Sequence, residues 1–127
     1  MNFNRLKILE GEFSIHRLVP DIVIPPQVYE SEFYSIVKTD DEISIVCDSS
    51  IQLHAEKSNA GWKCIKFVEV LDFSLTGILN KITSILANSK ISMFALSTYN
   101  TDYLLVEMSN ILKAKQALIT AGYTFEE

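Results

Sequence analysis

The pattern of apolar and polar positions is clearest in the C-terminal half of the chain. The run "CIKFVEVL", Cys64 to Leu71, is rich in β-branched and apolar residues and predicts a buried strand. In "DFSLTGILNKITSILANSK", Leu75, Ile78, Leu79, Ile82, Ile85 and Leu86 recur at the spacing of one helix face. A helix is predicted there, with Ser74 or Thr76 as its N-cap and Asn88 at its stop. "ISMFALSTY" and "YLLVEM" predict two antiparallel strands around a polar turn, and the stretch Met93 to Leu96, apolar on both sides, is expected to be buried on both. Ser109 or Asn110 then caps a second helix with Ile111, Ala114, Leu118 and Ala121 on one face. Gly122 ends it, and "YTFEE" predicts a short final strand. Strand, helix, strand, strand, helix, strand is the split βαβ, ferredoxin-like arrangement of an α+β fold.

The N-terminal half is poorer in helix signal. "LKILEGEFSIHRLV" predicts one or two strands with Gly11 as a bend or bulge, and "VPDIVIPPQVYESE" is a Pro-interrupted connector. "FYSIVKTDDEISIVCD" predicts a hairpin, and "SSIQLHAEKSNAGW" leaves room only for a short helix before the Cys64 strand. Set side by side, "SIVKTDDEISIV" and "FALSTYNTDYLLV" echo one another: Thr39 with Glu42, Thr98 with Asp102, each pair between apolar arms. Two related halves would explain the echo and would cover the second sheet face. The expected division is residues 1–61, a helix-poor copy, and residues 62–127, the complete one.

Composition narrows the class. At 127 residues with 48% hydrophobic and 21% charged, the chain has the makeup of a globular domain. A net charge of -5 argues against a broad footprint for nucleic acid or for an anionic membrane surface. No apolar run reaches the roughly 20 residues needed to span a bilayer. The start "MNFNRLKILEGE" lacks the h-region of a signal peptide, so a cytoplasmic location is expected. Cys47 and Cys64 sit inside apolar runs, outside any CxxC or Cys/His grouping, and read as buried thiols. With His16 and His54 far apart, no metal-ligand spacing exists, and no cofactor is expected. There is no G-x-S-x-G, P-loop or G-x-G-x-x-G, so a non-catalytic protein is expected.

On "FYSIVKTDDEISIVC", "GWKCIKFVEVLDFSLTGILNKITSILANSKIS" and "MFALSTYNTDYLLV", the chain resembles the CASTOR/ACT-type proteins, small tandem-ACT proteins akin to cytosolic arginine sensors. The resemblance implies two ACT-like subdomains, the N-terminal one truncated in helix, packed as one compact unit. It also implies a regulatory module that binds an amino-acid effector at a subdomain or subunit interface. The loop "DFSLTG" and the hairpin "STYNTD" would face that effector, which singles out Gly77, Ile78, Ser97, Thr98 and Asp102, with Glu42 as the counterpart in the first hairpin.

The chemistry of these residues suits a zwitterion. Backbone N–H groups at the helix start offer an anion site, Gly77 permits close approach to the main chain, and Asp102 can accept from an ammonium group with Ser97 or Thr98 assisting. Each residue also has a purely structural reading, as packing at Gly77 and turn closure at Thr98, Asp102 and Glu42. Asn100 and Thr101 read as turn formers. The second class of function is a protein that uses the fold to dimerise, or to dock on a partner, without a ligand.

Overall fold

The computed structural model describes residues 3–127. Eight strands and two α-helices occur among them: β1 (Arg5–Ile8), β2 (Phe13–Leu18), β3 (Ser35–Lys38), β4 (Ile43–Asp48), β5 (Lys57–Phe67), α1 (Ile78–Asn88), β6 (Met93–Ser97), β7 (Asp102–Glu107), α2 (Ile111–Thr120) and β8 (Thr124–Glu126). The fold is α+β, with the ferredoxin-type βαββαβ order running from β5 to β8. The chain divides into two units, Gly11–Trp62 and a second that joins the residues up to Glu10 to Lys63–Glu127.

In the C-terminal unit the strand order is β8-β1-β5-β7-β6. A simple split βαβ sheet would place β8 beside β5. Here β1 lies between them, antiparallel to β5 with Leu6 opposite Phe67, and parallel to β8 with Leu6 opposite Phe125. Side-chain and backbone bonds fasten this insertion: Asn4 Nδ2 donates to the Gly122 carbonyl (3.2 Å) and Thr124 N–H donates to the Asn4 carbonyl (2.9 Å). Leu6, Phe67, Ile82, Leu86, Leu104 and Leu118 meet in the core beneath the two helices.

The helix start differs from the sequence expectation. α1 begins at Ile78, after Gly77, and neither Ser74 nor Thr76 caps it. Asp72 has drawn that segment into a turn of its own, its carbonyl accepting from Leu75 N–H (2.9 Å) and its Oδ1 from Ser74 N–H (2.8 Å). Leu75 therefore lies in the loop and off the helix face. A side-chain cap is worth about 1 kcal/mol, whereas each buried Leu or Ile contributes about 1.5–3 kcal/mol. Packing of Ile82 and Leu86 is what holds α1, so the missing cap is tolerated.

β6 also departs from expectation. It pairs with β7 alone among the described residues, which makes it an edge strand. Met93, Phe94 and Leu96 are consequently half-buried and Ala95 is exposed; the strand is not covered on both faces.

In the N-terminal unit β3, β4, β2 and the first half of β5 form an antiparallel array. β5 starts at Lys57, so "KSNAGW" is strand and the short helix expected in that region does not form. Gly11 makes the bend between β1 and β2 with φ at +90°, and a Cβ there would stand 2.8 Å from the Asp48 carboxylate. Leu18, Val28, Ile43, Ile45 and Cys47 form the core, Val28 arriving on a 3-10 turn, Pro26–Glu30, of the Pro-rich connector. Cys47 and Cys64 are both buried and free, and burial pushes their thiols up to about 11 and about 12. Neither is a nucleophile at neutral pH.

The two hairpins close alike, but not in the alignment that the sequence suggests. Thr39 N–H donates to the Glu42 carbonyl (2.9 Å) and Thr98 N–H to the Thr101 carbonyl (2.8 Å). Each threonine hydroxyl also donates to that same carbonyl, at 3.3 and 3.1 Å, and accepts from that residue's N–H, at 3.2 and 3.3 Å. The structural counterpart of Glu42 is therefore Thr101, and Asp102 corresponds to Ile43.

His16, only 6% exposed, adds a pH dependence to this unit. Its Nδ1 shares a hydrogen bond with Ser58 Oγ (2.7 Å), and among the described residues its Nε2 has no hydrogen-bond partner. Burial lowers the imidazole below its ordinary 6.5. As pH falls through 6.5 the unfolded chain takes up a proton that the folded protein refuses, so the unfolded state binds more protons. Stability is thus full above that pH and declines below it. Urea midpoints measured between pH 7.5 and 5.5 are expected to fall, and His16→Gln to flatten that fall.

Candidate functional site

A cavity of about 240 Å³ opens at the start of α1, and every residue lining it belongs to the C-terminal unit. Three segments build it: the loop Leu71 to Gly77, the first turn of α1, and the facing ends of β6 and β7. Gly77, Ile78, Ser97, Thr98 and Asp102 all line it, so five of the six residues singled out from the sequence come together. Glu42, on the β3–β4 turn of the other unit, is not among its lining residues.

The helix end supplies donors. Gly77 occupies the N-cap position with φ at +80°, and the first in-helix bond runs from Lys81 N–H to the Gly77 carbonyl (2.9 Å). The N–H groups of Ile78, Leu79 and Asn80 precede that bond and have no carbonyl of their own helix to meet. No side chain caps them and no acidic residue sits in the first turn, so the positive end of the helix dipole is left uncompensated within the helix. A Cβ at position 77 would meet nothing within 4 Å, so glycine is required there for its left-handed backbone and not for lack of space. Gly77→Ala is expected to cost about 1–2 kcal/mol in urea unfolding.

The hairpin end supplies an acceptor. Ser97 and Asp102 are cross-strand partners, and Ser97 Oγ donates to Asp102 Oδ1 at 2.6 Å. That short charge-assisted bond fixes the carboxylate while leaving Oδ2 without a hydrogen bond among the described residues. The Thr98 hydroxyl is committed to closing the turn with Thr101. At the mouth, the Ser74 N–H and hydroxyl beside Asp72 hold its carboxyl below the usual carboxylate range.

Two residues that read as mere turn formers have structural roles here. Thr101 is 6% exposed and its hydroxyl donates to the Phe67 carbonyl (3.2 Å) at the end of β5. The Asn100 carbonyl accepts from Leu71 N–H at 2.6 Å. The hairpin thereby clasps the loop that leads into α1, and the Phe73 and Tyr99 rings meet across that clasp with centroids 4.9 Å apart. Phe73 and Asp72 lie in the "DFSLTG" loop without being singled out in the sequence. The Asp72-Phe73-Ser74 order was the available signal, an Asp placed to bond the backbone two residues on.

A family model for the ACT domain matches residues 57–120, and a separate model for an N-terminal domain matches residues 11–51. The crystal structure of an Agobacterium tumefaciens protein is 35% identical, covers 99% of this chain and 94% of its own, and superposes with a TM-score of 0.90. The aspartokinase alpha and beta subunits share the fold at 16% identity, covering 94% of this chain and 98% of that one, with a TM-score of 0.67. The ligand-free regulatory subunit of aspartate kinase from Thermus thermophilus shares it at 10% identity, covering 88% and 93%, with a TM-score of 0.62. No curated protein matches the chain.

Proposed function

The chain belongs to the ACT domain family, and from that premise we propose that it is a non-catalytic regulatory module whose α1-start cavity binds a free amino acid. The observation that carries this reading is the meeting, in one cavity, of uncapped helix N–H groups and a fixed carboxylate. The α-carboxylate of the ligand would take the N–H groups of Ile78 to Asn80, and its ammonium the open oxygen of Asp102. Among the described residues no group of side chains has the makeup of a metal centre, and no helix is long and apolar enough to cross a membrane. The output of such a module passes through a protein partner or a second copy of the chain.

A thermal-shift screen with the twenty amino acids at millimolar concentration tests the reading. A ligand at about 100 times its Kd adds roughly 2.7 kcal/mol, a rise of several degrees for a chain of this size. No shift with any of them would overturn it.

The open edge of β6 favours a second reading, a protein that dimerises or docks through its sheet without a ligand. Sedimentation separates the two: association in the absence of amino acids, unchanged when they are added, belongs to the second reading only.

A further inference from the structure

Phe73 and Tyr99 are large apolar side chains left in water, 72% and 81% exposed, yet each touches the other. Phe73 lines the cavity, and Tyr99 stands on the turn that clasps the Phe73 loop through Leu71. Val70, immediately before that loop, is also exposed. Single exposed apolar residues need no explanation, but a cluster at the edge of a cavity marks a binding surface.

The lining of the cavity says what kind of ligand part would meet that cluster. The cavity, about 240 Å³ and open to solvent, has room for a side chain beside the ammonium, α-carbon and carboxylate of an amino acid. Leu71, Leu75, Ile78 and Leu79 line the space beside Phe73. The ionisable lining residues are Asp72 and Asp102, both acidic, so a second carboxylate on the ligand is repelled. A basic side chain would find Asp72, which is exposed and already accepts from Ser74 N–H. Such a solvated pair strengthens binding by about fivefold at most, whereas each methylene taken out of water strengthens it about fourfold. The charged head of a basic side chain must also stay in water, so its end cannot fill the apolar lining as an aliphatic side chain does.

We propose that the amino acid held in this cavity carries an aliphatic side chain, and that Phe73 and Tyr99 close over that side chain. The inference rests on the amino-acid reading of the cavity given above. It assigns Phe73 and Tyr99 to selectivity and leaves the common ammonium and carboxylate contacts to Asp102 and the start of α1.

Isothermal titration calorimetry of the full chain with alanine, leucine, methionine, lysine and glutamate provides the test. Leucine and methionine are expected to bind at least tenfold more tightly than alanine, lysine or glutamate. Phe73→Ala and Tyr99→Ala should each weaken leucine by about five- to tenfold while leaving alanine within about twofold; both side chains are exposed, and far-UV circular dichroism checks that the variants fold. A preference for lysine, glutamate or alanine over leucine, or equal loss of alanine and leucine binding in Phe73→Ala, overturns the aliphatic assignment and leaves the amino-acid reading standing. Binding of none of the twenty amino acids overturns both.

Discussion

Asp102→Asn is expected to weaken amino-acid binding by about ten- to a hundredfold while changing the unfolding free energy by less than about 1 kcal/mol. The two effects separate because asparagine keeps the shape of the side chain and a carbonyl oxygen for the Ser97 hydroxyl, now held at 2.6 Å by the carboxylate, but loses the charge. A hydrogen bond to a charged partner contributes about 1.5–3 kcal/mol, which sets the size of the affinity loss. On stability, the cross-strand Ser97–Asp102 bond is exposed, where such pairs contribute little. Calorimetric affinity and urea melts on the same preparation check both halves. Unchanged affinity with reduced stability would return Asp102 to the role of a strand-end hydrogen-bond partner.

Phe67→Ala is expected to lower the unfolding free energy by about 3–5 kcal/mol, enough to remove a large part of the 5–15 kcal/mol typical of a domain. Phe67 is 1% exposed, packs with Leu6 and the two helices, and ends β5 at the point where its own carbonyl accepts from Thr101. The substitution opens a cavity under α1 and loosens the clasp on the loop in one step. Urea unfolding followed by circular dichroism measures the loss. A cost below about 1.5 kcal/mol would mean that the helices are held elsewhere than on this core.

What was legible in the sequence follows from physical period. Ile82 and Leu86 on α1, and Ala114 and Leu118 on α2, fall on buried faces because a helix packed on one side must repeat every 3.6 residues. The first half of β5 carried no such signal: Lys57 to Ala60 are exposed, so nothing apolar marks them as strand. The placement of β1 between β8 and β5 is a matter of topology, which no local period encodes. The start of α1 was misplaced because Leu75 keeps the apolar spacing, while the left-handed backbone at Gly77 breaks the helix before it.

The cavity was legible through family likeness in the "DFSLTG" loop and the "STYNTD" hairpin, which lie far apart in sequence and meet in space. The pairing of Glu42 with Asp102 failed to carry over because it matched acidic residues. The turns themselves align by the carbonyl that each threonine bonds, which places Thr101 opposite Glu42. The contact between Phe73 and Tyr99 had no sequence signal, since it depends on how the Asn100 carbonyl draws in Leu71.

The most direct test is a titration of isotopically labelled protein with leucine, followed by the backbone amide resonances. Saturable shifts are expected, concentrated at Gly77 to Asn80 and at Ser97, Thr98 and Asp102, and lost in Asp102→Asn. Saturable shifts confined to other residues, with these amides unmoved, would contradict binding at this cavity.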